Sequence, residues 1–444
     1  MRLAVWSPLP PSPSGIADYV AEALPELGRH AEVVAVVEDP GAVAAAPVRC
    51  AAPGDEGAVD LHVYHLGNSP AHAYLYRAAL EQPGVVVLHE WSLHHLVLCE
   101  TVERGDRAAY LREMRRAHGE NGTFVGRQVA RALGGDLLPA LYPLNDRVLE
   151  NALGVVALTR EVAGRARHRL RQRPVLHLPH HLALPLDPLP SRAEARRRLG
   201  LPAGALLVTA PGLATPAKRL DAVIGAVARL RGRFPELELV VAGGVDPRLP
   251  LERWAREAGL GDALRVTGRL SLEDFALHLC ACDVVSALRF PSHGEISGAL
   301  VRSLGVGRPA LVSGSTPAAD EFPEGVVAPV DPGRDEGAEL EALLDALLER
   351  PELRDAMGRL ARQHVLERAG IPATVSALVG FLEDVAGRRE ELLRAVSRRR
   401  APAGSLLELL SDEVRWGASE LGLEGVDLGV EPLLDELGAD RRPR

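Results

Sequence analysis

The chain of 444 residues carries a formal net charge of −9, with 51 Lys and Arg set against 60 Asp and Glu. That balance argues against a nucleic-acid binder built on a basic face, and 47% hydrophobic residues argue against wholesale disorder. Two or three domains are expected from the length. With aromatics at 4%, their cores must rest on Leu, Val and Ala.

Leu3 to Trp6 reads as a short buried strand, Ser7 to Ser14 as a proline-rich loop, and Gly15 opens a helix reaching Gly28. Val33 to Val37 is a second strand, which completes a βαβ unit of the dinucleotide-binding kind. No G-x-G-x-x-G follows the first strand, so NAD binding is not indicated and no cofactor is expected. Pro40 to Gly57 reads as a loose Ala/Pro/Gly stretch, after which strands fit Asp60–Tyr64, Val85–His89, Gly154–Leu158 and Val175–Leu178. A long polar helical region spans Leu93 to Leu133.

Pro179 to Pro190 reads as a linker, and Ser191 to Leu199 as a short basic helix. A second alternating series then places strands at Leu206–Ala210, Leu237–Ala242, Leu264–Val266, Asp283–Leu288, Ala310–Val312 and Val326–Ala328. Helices fit Lys218–Gly232, Leu251–Ala258, Leu272–Cys280, Ala299–Gly305 and Glu336–Leu348. Strands alternating with helices predict parallel sheets covered on both faces. The expected fold class is therefore α/β: two Rossmann-like domains, 1–180 and 191–370, facing a cleft, with a helical segment over 371–444. From Pro351 onward the pattern is helical only, and Leu353–Glu367 and Ala373–Val385 read as packing helices. Arg388 to Arg400 is basic and amphipathic, a solvated face or a peripheral membrane contact. Pro402 to Arg444 reads as a small helical appendage.

Cys50, Cys99, Cys280 and Cys282 form no C-x-x-C pair and read as free thiols of a reducing compartment. Pro8 interrupts the first apolar run too early for a signal peptide, and no run reaches bilayer-spanning length. A cytoplasmic protein is the expectation.

Four loops converge on the expected cleft, because ligands of open parallel sheets sit at the carboxyl ends of the strands. The first, Ser14-Gly15-Ile16, lies at a helix amino end, where free N–H groups suit an anion; a plain turn is the alternative. The second ends in His89-Glu90, where His89 can orient a reacting hydroxyl or simply close a strand. His94 follows His89 at a spacing of five rather than four, and there is no Asp-x-Asp, so no metal is assigned. The third loop, Pro211 to Arg219, carries Gly212 and Lys218; the ammonium can neutralise a departing diphosphate, or cap a surface helix. The fourth, Pro291 to Gly298, runs from an apolar strand into a helix. There Glu295 can accept sugar hydroxyls, Gly294 and Gly298 allow close backbone approach, and Arg302, seven residues on, shares a face with Glu295.

Over roughly Arg2 to Ala386 the chain resembles the GT-B-fold retaining glycosyltransferases of family 4, the glycosyl transferases group 1. The segments carrying the resemblance are Pro10 to Tyr19, Gly212 to Asp221, Val241-Ala242-Gly243-Gly244 and Phe290 to Pro309. The resemblance implies a nucleotide diphosphate sugar donor, a glycan, lipid or small-molecule acceptor, and a place in polysaccharide biosynthesis. It gives His89, Lys218 and Glu295 catalytic roles, and assigns Gly15, Gly212, Ser297 and Gly298 to the donor. Two departures stand out. Leu213 occupies the place of the family's arginine, with Arg219 as the compensating cation, and Arg302 occupies the slot of the second motif glutamate. A sugar-nucleotide epimerase of the same fold, or a nucleotide-sugar-binding scaffold, is the alternative.

Overall fold

In the computed structural model, residues 1–400 are described apart from 44, 45, 132, 136, 171 and 172; the appendage expected over 402–444 lies outside them. The short apolar runs form β1 (Arg2–Trp6), β2 (Glu32–Val36), β3 (Arg49–Ala51), β4 (Leu61–Leu66), β5 (Val85–Leu88), β6 (Gly154–Ala157) and β7 (Val175–His177). They make one parallel sheet in the order β3-β2-β1-β4-β5-β6-β7. β8 (Leu206–Pro211), β9 (Leu237–Ala242), β10 (Leu264–Val266), β11 (Val284–Ser286), β12 (Ala310–Ser313) and β13 (Ala328–Val330) make a second parallel sheet, ordered β10-β9-β8-β11-β12-β13. Strand order reverses at β1/β4 in the first sheet and at β8/β11 in the second. The carboxyl ends at those switch points are where such sheets bind ligands. The molecule is thus two Rossmann-like domains.

Local signals set several boundaries. Ser14 caps the helix Gly15–His30 by accepting from Ile16 N–H at 3.2 Å. Ser191 caps Arg192–Leu199, which ends at Gly200 in the left-handed conformation (φ 65°). Four expectations are corrected. The helical region expected over 93–133 divides into His94–Glu100 and Arg107–Val129, the second kinked at Gly119 (φ 59°). The strand expected at Val326–Ala328 lies two residues later. β3 emerges from the stretch read as loose. The helix expected from Lys218 starts at Leu220, because Arg219 is left-handed (φ 53°).

The chain crosses back after the second sheet. Helices Pro351–Arg368 and Ile371–Gly387 follow one another, and the latter packs on Gly15–His30 of the first domain. Leu182 N–H, in the outward connection, donates to Ala369 O at 2.7 Å on the return. The basic helix Arg389–Arg400 buries Leu392 and Val396 against the protein. No helix among the described residues is long and apolar enough to cross a membrane.

One buried charge cluster fastens the start of the second domain. Asp283, just before β11, accepts from Leu207 N–H at 2.8 Å and pairs with Arg192 and Arg196, both at 2.7 Å. Arg196 is itself buried. Asp283→Ala leaves that guanidinium without its counter-ion and should cost about 3–5 kcal/mol, read as a lower urea midpoint.

Candidate active site

β8 delivers the chain to Gly212, whose φ of 78° suits glycine and whose N–H donates to Ala242 O at 2.8 Å. The neighbouring strand ends at Gly243, where a Cβ would lie 2.5 Å from Gly212 O; only glycine lets these two strand ends meet. A short turn, Pro216–Lys218, then places Lys218 in a buried position where Nζ donates to Pro211 O. Burial, with Arg289 adding like charge, holds its pKa well below the usual lysine range. Lys218 has no acidic partner among the described residues.

Phe290 N–H donates to Ala217 O at 2.7 Å and so ties the loop after β11 to the Lys218 turn. Within that loop Glu295 pairs with Arg289 at 3.0 Å and accepts from His293 N–H at 2.6 Å. Burial works against its charge, but Arg289 and these N–H groups outweigh burial and keep its pKa below the ordinary value. The helix Gly298–Gly305 begins with Ser297 as cap, whose side chain takes none of the first-turn N–H groups. A Cβ at Gly212 would lie 3.3 Å from Lys218 Nζ and 3.8 Å from Ala299 Cβ. Gly212, Lys218 and the amino end of this helix therefore meet at one spot, a cationic group beside a positive dipole end.

On the facing domain His89, just after β5, is buried, with Nε2 at 3.1 Å from His65 Nδ1 and its ring edge-on to Tyr19 at 4.9 Å. Burial holds it neutral, and the neighbouring His65, His180, His72 and His181 add to that. Tyr19 also contacts His180 at 4.8 Å, and a Cβ at Gly298 would lie 3.1 Å from His180 Nε2. So His180 links the helix end to the His89 group. Gly15 has open space around its Cα: nothing lies within 4 Å of a Cβ built there.

The loop after β11 reaches directly into the first domain. Trp91 N–H donates to His293 O at 2.6 Å, and Thr159 Oγ1 donates to Gly294 O at 3.2 Å. Gly294 (φ 90°) has no room for a Cβ, which would lie 2.8 Å from Trp91. His293 sits 3.8 Å from Glu90. Burial opposes its charge, but Glu90 and Glu295 prevail and raise its pKa. Glu90 and Glu295 thus flank one histidine, a pairing that their separation of 205 positions conceals in the chain.

Two residues expected at the donor are paired with carboxylates. Arg219, half-buried, donates from Nε to the buried Glu336 at 3.0 Å. Arg302 does not share a face with Glu295, which lies in the loop before the helix. Instead Arg302 pairs with Glu22 of the first domain at 2.5 Å and donates to Ala183 O at 3.2 Å. Glu22 also lies 3.3 Å from His181. Arg302→Glu should destabilise the chain by about 2–4 kcal/mol because it buries two carboxylates together. Glu22→Arg combined with Arg302→Glu should recover much of the loss; urea unfolding of the cycle tests this.

His65, His180, His181, Glu22 and His293 were not singled out by the sequence. A usable signal existed for one of them: His65, near the carboxyl end of β4, pairs with Val87, two residues before His89 on the adjacent strand. Among the described residues, no group of three or more His, Cys, Asp or Glu side chains is arranged to hold a metal ion.

Two parallel Rossmann-like domains with facing switch points define the GT-B class of fold. Sucrose-phosphate synthase from Thermosynechococcus elongatus superimposes with a TM-score of 0.62 at 16% identity, over 87% of this chain and 99% of that one. Anabaena HepE in complex with UDP-glucose does so with a TM-score of 0.56 at 14% identity, over 86% and 100%. Residues 191–364 match the family model of the Glycosyl transferases group 1. The D-inositol 3-phosphate glycosyltransferase of Stackebrandtia nassauensis is 35% identical over 226 residues, 48% of each chain. That of Saccharomonospora viridis is 32% identical over 207 residues, 44% of this chain and 46% of the relative. The chain spans about half the length of the curated relatives it matches.

Proposed function

We propose that the protein transfers a sugar from a nucleotide diphosphate sugar to an acceptor hydroxyl, with retention and without a metal ion. The observation that carries this reading is the meeting of buried Lys218, Gly212 and the amino end of the helix Gly298–Gly305 at the β8/β11 switch point. A buried cation beside a positive helix end suits a doubly charged leaving group. The diphosphate supplies the counter-charge that Lys218 otherwise lacks, and the interaction strengthens as the glycosidic bond breaks and negative charge builds on the leaving oxygen.

In this reading Glu295, oriented by Arg289 and His293, accepts hydroxyl hydrogen bonds from the sugar, with Ser297 and Gly298 offering backbone contacts. Neutral His89, oriented by His65, positions the sugar from the other side. Gly15 lines the donor side of the first domain, where open space remains. The likeness of residues 191–364 to the group 1 family and the UDP-glucose complex of Anabaena HepE support a nucleotide-sugar donor. The pairing of Arg302 with Glu22 favours a second reading, nucleotide-sugar binding without transfer, because it removes the residue in the ribose slot from the cleft.

The test is a binding and hydrolysis screen against UDP-, GDP-, ADP- and dTDP-sugars, with and without EDTA. Slow nucleotide release that EDTA leaves unchanged supports transfer and names the donor. Tight binding with no release or transfer favours the second reading, and binding of none overturns both.

A further inference from the structure

Asp18 is a cleft carboxylate without a task in the proposed reaction. It stands in the first turn of the helix Gly15–His30, half-buried, and its side chain takes no hydrogen bond and no ion pair among the described residues. Glu22 lies on the same face of the helix, one turn further on, and it is Glu22 that meets Arg302 of the second domain. Asp18 therefore faces the second domain one turn nearer the helix amino end, where Gly15 borders open space. Burial raises its pKa and Glu22 adds to this, while the charges of Arg302 and of Arg269, in the loop after β10, work the other way. Both arginines belong to the second domain, in keeping with that orientation.

The strand order decides which part of a donor it meets. With the diphosphate at the β8/β11 switch point, the loop after β11 carries Glu295 to the ends of β5 and β6, through Trp91 and Thr159. That is the side of the sugar. Arg269 follows β10, at the other edge of the second sheet, and Asp18 follows β1, two strands away from β5 in the first. A donor with its sugar at Glu295 and His89 thus sends its nucleoside toward Asp18.

A second acceptor faces the same space. A Cβ at Gly298 would lie 3.1 Å from His180 Nε2 and 3.2 Å from Arg302 Nη1, so both side chains converge on the first residue of the helix Gly298–Gly305. His180 Nδ1 lies 2.8 Å from His181 O, and a carbonyl only accepts, so Nδ1 carries the ring proton. Burial keeps the ring neutral. Nε2 is then a bare acceptor, and it takes no hydrogen bond among the described residues. Two acceptors, a carboxylate and an imidazole nitrogen, suit a pair of neighbouring hydroxyls, and Arg302 offsets the carboxylate's charge beside a diphosphate. We propose that Asp18 and His180 accept the 2′- and 3′-hydroxyl groups of the donor's ribose. The nucleoside is then read by the first domain and the connection, rather than by the helix Gly298–Gly305, whose Arg302 is held by Glu22. This rests on the nucleotide-sugar reading and adds to it which side chains select a ribonucleotide.

Calorimetric titration of the full chain with UDP, GDP and ADP, each beside its 2′-deoxy and 3′-deoxy counterparts, tests it. The ribonucleotide that binds should do so about 10–100-fold more tightly than its deoxy forms, because a missing hydroxyl leaves a buried acceptor unpaired. Asp18→Ala should bring that ratio close to one. Asp18→Asn, which keeps the shape and loses the charge, should lower it partway, and His180→Leu should lower it for one of the two hydroxyls. A merely structural role would weaken ribo- and deoxynucleotides alike and leave the ratio intact, so the ratio separates recognition from damage to the fold. Equal binding of ribo- and deoxynucleotides by the parent overturns the proposal and leaves the donor reading standing, as does parental discrimination retained in Asp18→Ala. Binding of none of the nucleotides overturns the donor reading, and this proposal with it.

Discussion

Lys218→Met should lower donor turnover by about 10²–10³-fold and raise the stability of the protein at neutral pH. The first expectation follows from the proposed chemistry. A preorganised cation at the leaving group acts mainly in the transition state, so kcat should fall more than donor affinity. The second follows from burial alone. The ammonium has left water for Pro211 O and has no carboxylate partner among the described residues, and its folded pKa lies well below the usual value. A lysine with a depressed folded pKa binds fewer protons in the native state than in the unfolded one. Its cost is therefore present at neutral pH and disappears as pH rises toward the unfolded lysine value of about 10.4. Met fills the space without the charge, so the stability gain of the variant should shrink in the same direction. A residue held for function at the expense of stability shows this opposed pair of effects. Turnover that is unchanged in Lys218→Met would remove the residue from the mechanism. A lower urea midpoint at pH 7 would show that the buried charge has a partner that supports the fold.

How far the sequence reveals this depends on how each feature is encoded. Parallel strands covered on both faces are continuous apolar runs, so the central strands and the alternation stood out. β3 did not, because it is three residues long with Arg49 exposed and Cys50 only half-buried. Lys218, Gly212 and the Gly298 helix end were legible because each lies in a strand-to-helix loop, and parallel topology brings such loops together. Arg219 was misplaced because one left-handed residue redirects its side chain toward Glu336, and nothing in Lys-Arg-Leu announces that turn. Arg302 and Glu22 are 280 positions apart, and their pairing depends on how the two domains meet. The same holds for the histidines around Tyr19, which come from β4, from the helix turn at His72, from the end of β5 and from the connection at His180. Each alone is an ordinary strand-end or loop residue. Only the assembled molecule makes them a group.

Three of that group, His65, His72 and His180, together with His94 on the other side of β5, make the fold acid-sensitive: stability should fall by about 5 kcal/mol between pH 7.5 and pH 5.5. Burial first, then neighbouring charges, pushes His65 and His180 down to about 3 and His94 to about 4, and burial alone takes His72 to about 4. His72 and His94 also carry a hydrogen bond to a backbone carbonyl that works the other way and is overcome. In the unfolded chain all four titrate near the ordinary 6.5. Between the two values the unfolded state binds protons that the native state refuses, so stability falls as pH falls. One pH unit below the unfolded value costs about 1.4 kcal/mol per histidine, which is about 5 kcal/mol for four. Domain stabilities are about 5–15 kcal/mol, so this loss is large enough to unfold a marginal chain. His293 runs opposite: its raised pKa adds stability below the unfolded value and loses it as pH rises through the folded one. One such group offsets only part of four. Urea unfolding at several pH values measures the slope directly. About 3–4 protons should be taken up on unfolding near pH 5.5, and His72→Gln should lower that number by about one. A flat profile between pH 7.5 and 5.5 would mean that these side chains accept protons in the native state. In that case His89 and His65 would no longer meet as two neutral rings, and His89 could not hold the sugar as a neutral hydrogen-bonding partner.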